Sequence, residues 1–322
     1  MTNSREDMVI GVCTYNRGRE ILRTLEAIAA IDRVGASEND CDARPRVTRC
    51  VVVNNNSADE TAAVIDAFIA ENPAFPFERI DELRQGKTFA MQTLFERTHE
   101  PIVAMLDDDT IPERGWARGM LAMLDDEPRA GVVGGPVRIV WESGSTRLAR
   151  IYHRSLGDQL LGSSRVRLDD PKSFMMGASI AVRRDAWRDS GWNEARTLEC
   201  HRGDVLDCGE DAELIIRIRR AGWQVWYTPD AAIGHIIPAR RQTRAYLARL
   251  LGSVRRSEPM LEHIARGGFT IEEARERLAR AKRLYAKNLL TDLRPMRRSI
   301  RLAERRGKVE GWERVIESIE RG

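Results

Sequence analysis

The chain has no uninterrupted apolar run near the ~20 residues that a membrane-spanning helix requires. Its start, MTNSREDMVIGVC, carries charge where a secretory signal peptide needs its apolar stretch, so a cytoplasmic enzyme is expected. Cysteine is scarce: five residues, at 13, 41, 50, 200 and 208, form an odd set without a CxxC pair. That argues against a disulfide framework and fits reduced thiols. Cys200, His201 and Cys208 would need a further ligand to hold zinc, and their spacing matches no structural zinc pattern. GxGxxG and HExxH are both absent, which removes the usual dinucleotide fingerprint and the zinc proteases. The QGKT at 85–88 looks like the end of a phosphate-binding loop. The glycine required five places before Gly86 is Asp81, however, and no apolar strand feeds the segment, so an ATPase or GTPase is excluded.

What is present suffices for a sizeable core. The 322 residues are 42% hydrophobic and 31% charged, enough for one large domain or two ordinary ones and incompatible with disorder over the bulk of the chain. The net charge of +3 conceals an asymmetry. Residues 1–235 carry 30 basic and 38 acidic side chains, whereas residues 236–322 carry 22 basic and 11 acidic ones. This predicts a body, 1–240, with a basic extension over 241–322. Solvated helix faces would explain the extension's charge, and nothing in its pattern calls for nucleic acid.

Short apolar, β-branched runs at 8–13, 50–53, 102–106 and 131–133 suit strands buried on both faces of a mostly parallel sheet. Helical stretches at 18–31, 59–71, 88–97 and 113–125 alternate with them, which predicts an α/β fold with ligands at the carboxyl ends of the strands. Further strands are expected near 136–141, 174–183 and 224–227, and a helix from Glu210 to about Ala221. Capping boxes are read at Ser57/Glu60, Thr110/Glu113 and Thr270/Glu273. In the helical extension, Ile271, Ala274, Leu278, Ala281 and Tyr285 form a narrow apolar stripe that must pack on the body, on another tail segment or on a partner.

Three clusters carry chemistry. Asp107, Asp108 and Asp109 directly follow an apolar strand, and adjacent carboxylates repel unless a cation neutralises them; magnesium or manganese suits such hard oxygen ligands. The competing explanation is capping of the next helix, for which Thr110 is already available. Glu210 and Asp211 open a helix, where the dipole favours acids. A carboxylate beside another carboxylate also holds its proton more tightly, as a general base should. His235 is either a structural histidine or a metal ligand, and Arg240, Arg241 and Arg244 after it are either a phosphate-neutralising cluster or the start of the basic tail.

The order of these motifs resembles the inverting glycosyltransferases of family two, which have the GT-A fold. The matching stretches are VIGVCTYNR (9–17), VVVNNNSADET (51–61), RQGKT (84–88), LDDDTIP (106–112), MGASIAVRRDAW (176–187), GWNE (191–194), GEDAELIIRIRRAGWQVWYTPDAAIGH (209–235) and HIIPARRQT (235–243). The resemblance implies that Thr14, Tyr15, Arg17, Asn54, Asn56, Gly86 and Lys87 bind the nucleotide donor. It also implies that Asp107 and Asp109 hold Mn2+ or Mg2+ with His235, that Asp108 lies beside them, and that Arg241 faces the diphosphate. Gly177 and Ala178 would border the donor sugar, Trp192, Asn193 and Glu194 the acceptor. Asp211 would be the catalytic base, supported by Glu210.

Family members commonly have an aspartate for the uracil ring where this chain has Asn54, whose amide both donates and accepts. A uridine diphosphate sugar is the first expectation; thymidine and guanosine diphosphate sugars stay open. The chemistry is coherent: one carboxylate removes the acceptor proton, while a metal and arginines accept the departing diphosphate anion, giving single displacement with inversion. A glycosidase would instead need a second carboxylate to protonate its leaving group. The implied acceptor is a glycan, a lipid-linked glycan or a small molecule. The basic extension completes the acceptor site or touches an anionic membrane surface peripherally, and a homo-oligomer is open. Two alternatives stand beside this reading. A sugar-phosphate nucleotidyltransferase would want a glycine-rich loop after the first strand, where TYNRGRE has a single glycine. A non-catalytic binding scaffold would have no use for a base at Asp211.

Overall fold

A computed structural model describes residues 6–33, 46–170, 173, 175–198, 208–291 and 295–321. The body runs β1 (Met8–Thr14), α1 (Leu22–Ala29), β2 (Val47–Asn54), α2 (Thr61–Glu71), β3 (Phe77–Asp81), α3 (Lys87–Arg97), β4 (Ile102–Asp107), β5 (Thr110–Pro112), α4 (Trp116–Asp126), β6 (Ala130–Gly134) and β7 (Val137–Trp141). It continues through α5 (Arg147–Ile151), β8 (Val166–Arg167), β9 (Ser179–Arg183), α6 (Arg184–Asp189), α7 (Trp192–Ala195), α8 (Glu210–Arg220), β10 (Gln224–Tyr227) and β11 (Ile233–Ile237). Three long helices follow: α9 (Arg244–Arg266), α10 (Ile271–Thr291) and α11 (Pro295–Arg321).

The main sheet has the order β3-β2-β1-β4-β9-β6-β10-β8. Its β3-β2-β1-β4 half is parallel, β9 runs antiparallel between β4 and β6, and β8 is an antiparallel edge. The predicted mixed, mostly parallel sheet flanked by helices is therefore what the chain forms. Alternate residues of the central strands feed two cores. Ile10, Val12, Val52, Ala104 and Leu106 pack with α1 and α4, while Val9, Val51, Val53, Val103 and Met105 pack with α3 and α8. Burial on both faces explains why these strands read as unbroken apolar runs, each large aliphatic side chain contributing roughly 1.5–3 kcal/mol.

A second sheet, β5-β11-β7, stands at the carboxyl ends of the first. It corrects one capping box: Thr110 belongs to β5 and donates to the Asp107 carbonyl at 2.7 Å, while α4 starts at Trp116 with Gly115 as its cap. Neither the aspartates nor Thr110 caps that helix. The Ser57/Glu60 box is also not formed, since Ser57 Oγ accepts from the Asn16 N–H instead. The third box is present, with Thr270 and Glu273 exchanging side-chain bonds with each other's N–H.

The apolar stripe of α10 is packed onto protein. Ala274 and Ala281 are buried with Met260, Ile264, Trp312 and Val315 of α9 and α11, in a cluster that also takes in Ile216 of α8. Among the described residues no helix is long and apolar enough to cross a membrane. Of the three residues considered for zinc, Cys200 and His201 lie outside the described residues, and Cys208 Sγ lies 3.4 Å from Ser253 Oγ.

Candidate active site

A cavity of about 330 Å³ opens where β1 and β4 end, bounded by the starts of α3, α8 and β9, by β11 and by α9. Of the site residues expected from sequence, it brings together Thr14, Tyr15, Arg17, Lys87, the three aspartates, Gly177, Ala178, Glu210, Asp211, His235 and Arg241. Two ladders align this convergence. The parallel β1–β4 register sets Cys13 opposite Asp107, and the antiparallel β5–β11 register sets Thr110 opposite His235. The Ile236 N–H then donates to the Asp109 carbonyl at 2.8 Å, fixing the histidine strand against the acidic turn.

The three aspartates have separate partners. Asp107 accepts from Lys87 Nζ at 2.8 Å, and the same ammonium lies 3.2 Å from Glu210. Asp108 accepts from the Thr14 hydroxyl at 2.8 Å and pairs with Arg17 at 3.1 Å. Asp109 meets Arg17 at 3.2 Å, Arg241 at 2.8 Å and His235 Nε2 at 3.3 Å. Burial pushes the Asp108 carboxyl up to about 6 despite Arg17. For Asp109 burial acts in the same direction but is outweighed by His235, with Arg241 and Arg17 adding to it, so this carboxyl is held far below the usual range.

Asp211 is the other pole of the cavity. Its Oδ2 accepts from the Gly177 N–H and its Oδ1 from the Ala212 N–H, both at 2.8 Å. Burial first, then the neighbouring Glu210, raise its pKa to about 6 against the opposing pull of Lys87. Gly177 has to be glycine, because a Cβ there would fall 2.2 Å from Asp211 Oδ2. Lys87 is half-buried, and the surrounding carboxylates outweigh its desolvation and hold its ammonium charged.

Six residues expected in the site do not line the cavity. Asn54 is buried at the end of β2 and gives its amide hydrogen to Asp81 at 2.7 Å. Asn56 is an exposed turn residue at φ 58, and Gly86, at φ 140, is the backbone cap of α3. Trp192 is corrected outright: its indole is fully buried in the second core with Leu214 and Ile215. Asn193 bonds Glu96 at the far end of α3, and Glu194 is exposed next to it, so this segment turns away from the cavity.

Several cavity residues were not anticipated: Cys13, Asn55, Gln85, the Ser155–Gly157 turn, Tyr246 and Leu250. Asn55 had a signal in its asparagine run. Its amide ties the Arg84 carbonyl at 2.7 Å and the Gly86 N–H at 2.8 Å, positioning the turn before Lys87. Cys13 is chemically inert there, burial pushing its thiol up to about 12.

Among the described residues no three His, Cys, Asp or Glu side chains converge as a ready-made metal cage. The donors nevertheless fit a divalent ion that keeps substrate oxygens. An ionised Asp109 faces His235 Nε2, the imidazole is buried and its other nitrogen, Nδ1, has no hydrogen-bond partner.

An open, mostly parallel sheet with an acidic turn after β4 and the paired carboxylates of Glu210 and Asp211 at the start of α8 defines a GT-A fold. The profile of glycosyl transferase family 2 matches residues 9–191, and the chain belongs to that family. Similar proteins include a pre-mycofactocin glycosyltransferase of Mycobacterium tuberculosis (strain CDC 1551 / Oshkosh), 27% identical over 210 residues, 63% of this chain and 40% of the relative. The chain thus matches well under half of that relative's length. Succinoglycan biosynthesis protein ExoM of Rhizobium meliloti (strain 1021) is 25% identical over 251 residues, 77% of this chain and 73% of that protein. The mannosyltransferase PcManGT from Pyrobaculum calidifontis, solved with GDP-Man and Mn2+, superposes with a TM-score of 0.57 at 18% identity, covering 96% of this chain and 88% of that one.

Proposed function

We propose that the chain transfers a sugar from a nucleoside diphosphate donor to an acceptor hydroxyl by a single inverting displacement, with Asp211 as the base. The observation that carries this is the polarity of one cavity. At one pole is Asp211, a buried carboxylate raised to about 6, and at the other Asp109 with His235, Arg17 and Arg241. A carboxylate titrating near neutrality both takes a proton at pH 7 and holds it well enough to assist attack. The arginine-rich pole suits a diphosphate that leaves as an anion.

Asp109 and His235, with Asp107 after it exchanges Lys87 for the ion, are the residues that would hold Mn2+ or Mg2+. When bound, that ion would neutralise charge on the donor diphosphate. Glu210 supports the base by raising its proton affinity, and Lys87 compensates the carboxylates on that side. Uridine diphosphate remains the first choice of carrier on the family resemblance, with no support from Asn54, which stands outside the cavity with its amide engaged by Asp81 and the Ser57 N–H.

Thermal unfolding with uridine, thymidine, guanosine and adenosine diphosphates, each with and without Mn2+, tests the reading. A ligand at 100 times its Kd adds about 2.7 kcal/mol. A metal-dependent rise in Tm with one base is expected. A rise with none of them overturns the proposal.

A further inference from the structure

The acceptor has to approach from the side on which the base is open, and that side is built differently from the diphosphate pole. Met176 lines the cavity immediately before Gly177, whose N–H holds Asp211. Cys208 lines it two residues before Glu210, and the hydroxyl of Ser257 on α9 donates to the Cys208 carbonyl. About two and three turns earlier on the same helix, Leu250 and Tyr246 face the cavity. Opposite them is the Ser155–Gly157 turn, packed so closely that a Cβ on Gly157 would fall 2.6 Å from His235 Nδ1 and 3.8 Å from Met176 Cε. Leu156 of that turn and Ile237 of β11 complete an apolar wall that shares one buried cluster with Leu247, Leu251 and Ile300 of the helical extension.

We infer that this wall of Leu156, Met176, Ile237, Tyr246 and Leu250 is the acceptor subsite, and that it takes an acceptor carrying an aryl or other apolar group next to its nucleophilic hydroxyl. The inference rests on the transferase reading above and deepens it. Along the wall the Tyr246 phenol, the Ser155 hydroxyl and, against Gly157, the unpartnered His235 Nδ1 are side-chain polar groups available for hydrogen bonds. A bare sugar lying there would strip water from several hydroxyls and find few partners for them, which costs affinity. An apolar substituent would exchange water for carbon contacts and gain from the same burial. The subsite thereby depends on the extension, because α9 supplies Tyr246 and Leu250.

Calorimetric titration of the full chain with matched phenyl and methyl glycosides of glucose, galactose and mannose, with and without nucleotide and Mn2+, reads this preference. At least one phenyl glycoside is expected to bind roughly ten-fold tighter than its methyl counterpart. Leu250→Asn is expected to abolish most of that difference. Tyr246→Ser, at an equally half-buried position, provides a second variant should the first fold poorly, and the melting shift with nucleotide reports folding in each sample. Equal binding of the paired glycosides, binding of none of them, or a preference untouched by both substitutions overturns the inference. A nucleotide shift without a phenyl preference removes the acceptor assignment alone, whereas a phenyl preference without any nucleotide shift removes the donor reading.

Discussion

The ammonium of Lys87 lies 2.8 Å from Asp107 and thereby couples the acidic turn after β4 to Glu210, 3.2 Å away at the start of α8. Removing it leaves two carboxylates facing one another, with Glu210 almost fully buried. Lys87→Met should therefore destabilise the fold by about 1–3 kcal/mol, less than a fully buried pair would lose because Asp107 keeps some contact with water. Urea unfolding measures it, and an unchanged midpoint would show that the pair carries no net stability.

Asp211 accepts two backbone N–H bonds and feels the opposing charge of Lys87. Asp211→Asn keeps the shape and removes the proton acceptor. Transfer is expected to fall about 100- to 10,000-fold, the usual scale of general-base catalysis, while the nucleotide-induced Tm rise persists. Parallel loss of both would mean that Asp211 serves binding instead.

The pH dependence follows from the same group. With its pKa raised to about 6, Asp211 is a competent base only above that value, so kcat/KM should climb through pH 6. The linkage has the opposite sign. The folded value lies above the ordinary 3.8, so the folded state binds the proton more tightly and stability is lost as pH rises from about 4 through about 6. Asp211→Asn escapes that loss but sets its amide nitrogen against one of the two backbone N–H donors, a cost that does not vary with pH, so its Tm relative to the wild type should rise as pH goes from 4 to 7.5. A constant gap across the range would contradict the assignment.

How far the sequence was legible depends on where each segment lies. The central strands announce themselves because burial on both faces demands unbroken aliphatic runs, as in Val9–Val12 and Val51–Val53. β3, FERID, escaped notice because it is an edge strand whose buried hydrophobic side chain is Phe77 alone. β5 is three residues long and was mistaken for a helix cap, since a threonine followed three places later by glutamate satisfies that pattern without forming it. The polar half of the site could be read because adjacent carboxylates and a lone base are chemically conspicuous. Its apolar half could not: Leu156 and Leu250 look like any core residues until the fold brings them to the cavity wall. Trp192 shows the converse, a residue adopted from a motif whose indole belongs to the core.

Asp109 sits among three cationic or proton-accepting partners, Arg17, Arg241 and His235. If it is a ligand, Asp109→Ala should abolish the extra nucleotide affinity that Mn2+ provides. Without metal the same change releases Arg241 for the diphosphate while Arg17 stays with Asp108, so nucleotide binding should hold or tighten. Titration of nucleotide with and without Mn2+ separates the two effects. An undiminished metal dependence in the variant would take Asp109 out of the metal site.

Gly177→Ala tests whether placement of the base, as distinct from its chemistry, limits transfer. The added Cβ would sit 2.2 Å from Asp211 Oδ2 and 2.5 Å from Asp211 Cβ, so the carboxylate and the start of α8 that carries it must both shift away from the N–H that now holds them. Gly177 lies at the cavity surface just before β9, and its φ is not in the left-handed region, so the backbone itself tolerates alanine. Misplacing a reacting group by about 1 Å can cost on the order of 100-fold in rate. A fall of that size in kcat is expected, with the nucleotide-dependent Tm rise retained. Activity within about two-fold of wild type would mean that the Gly177 N–H does not set the position of the base, since a loss that small falls well short of what displacing it should cost.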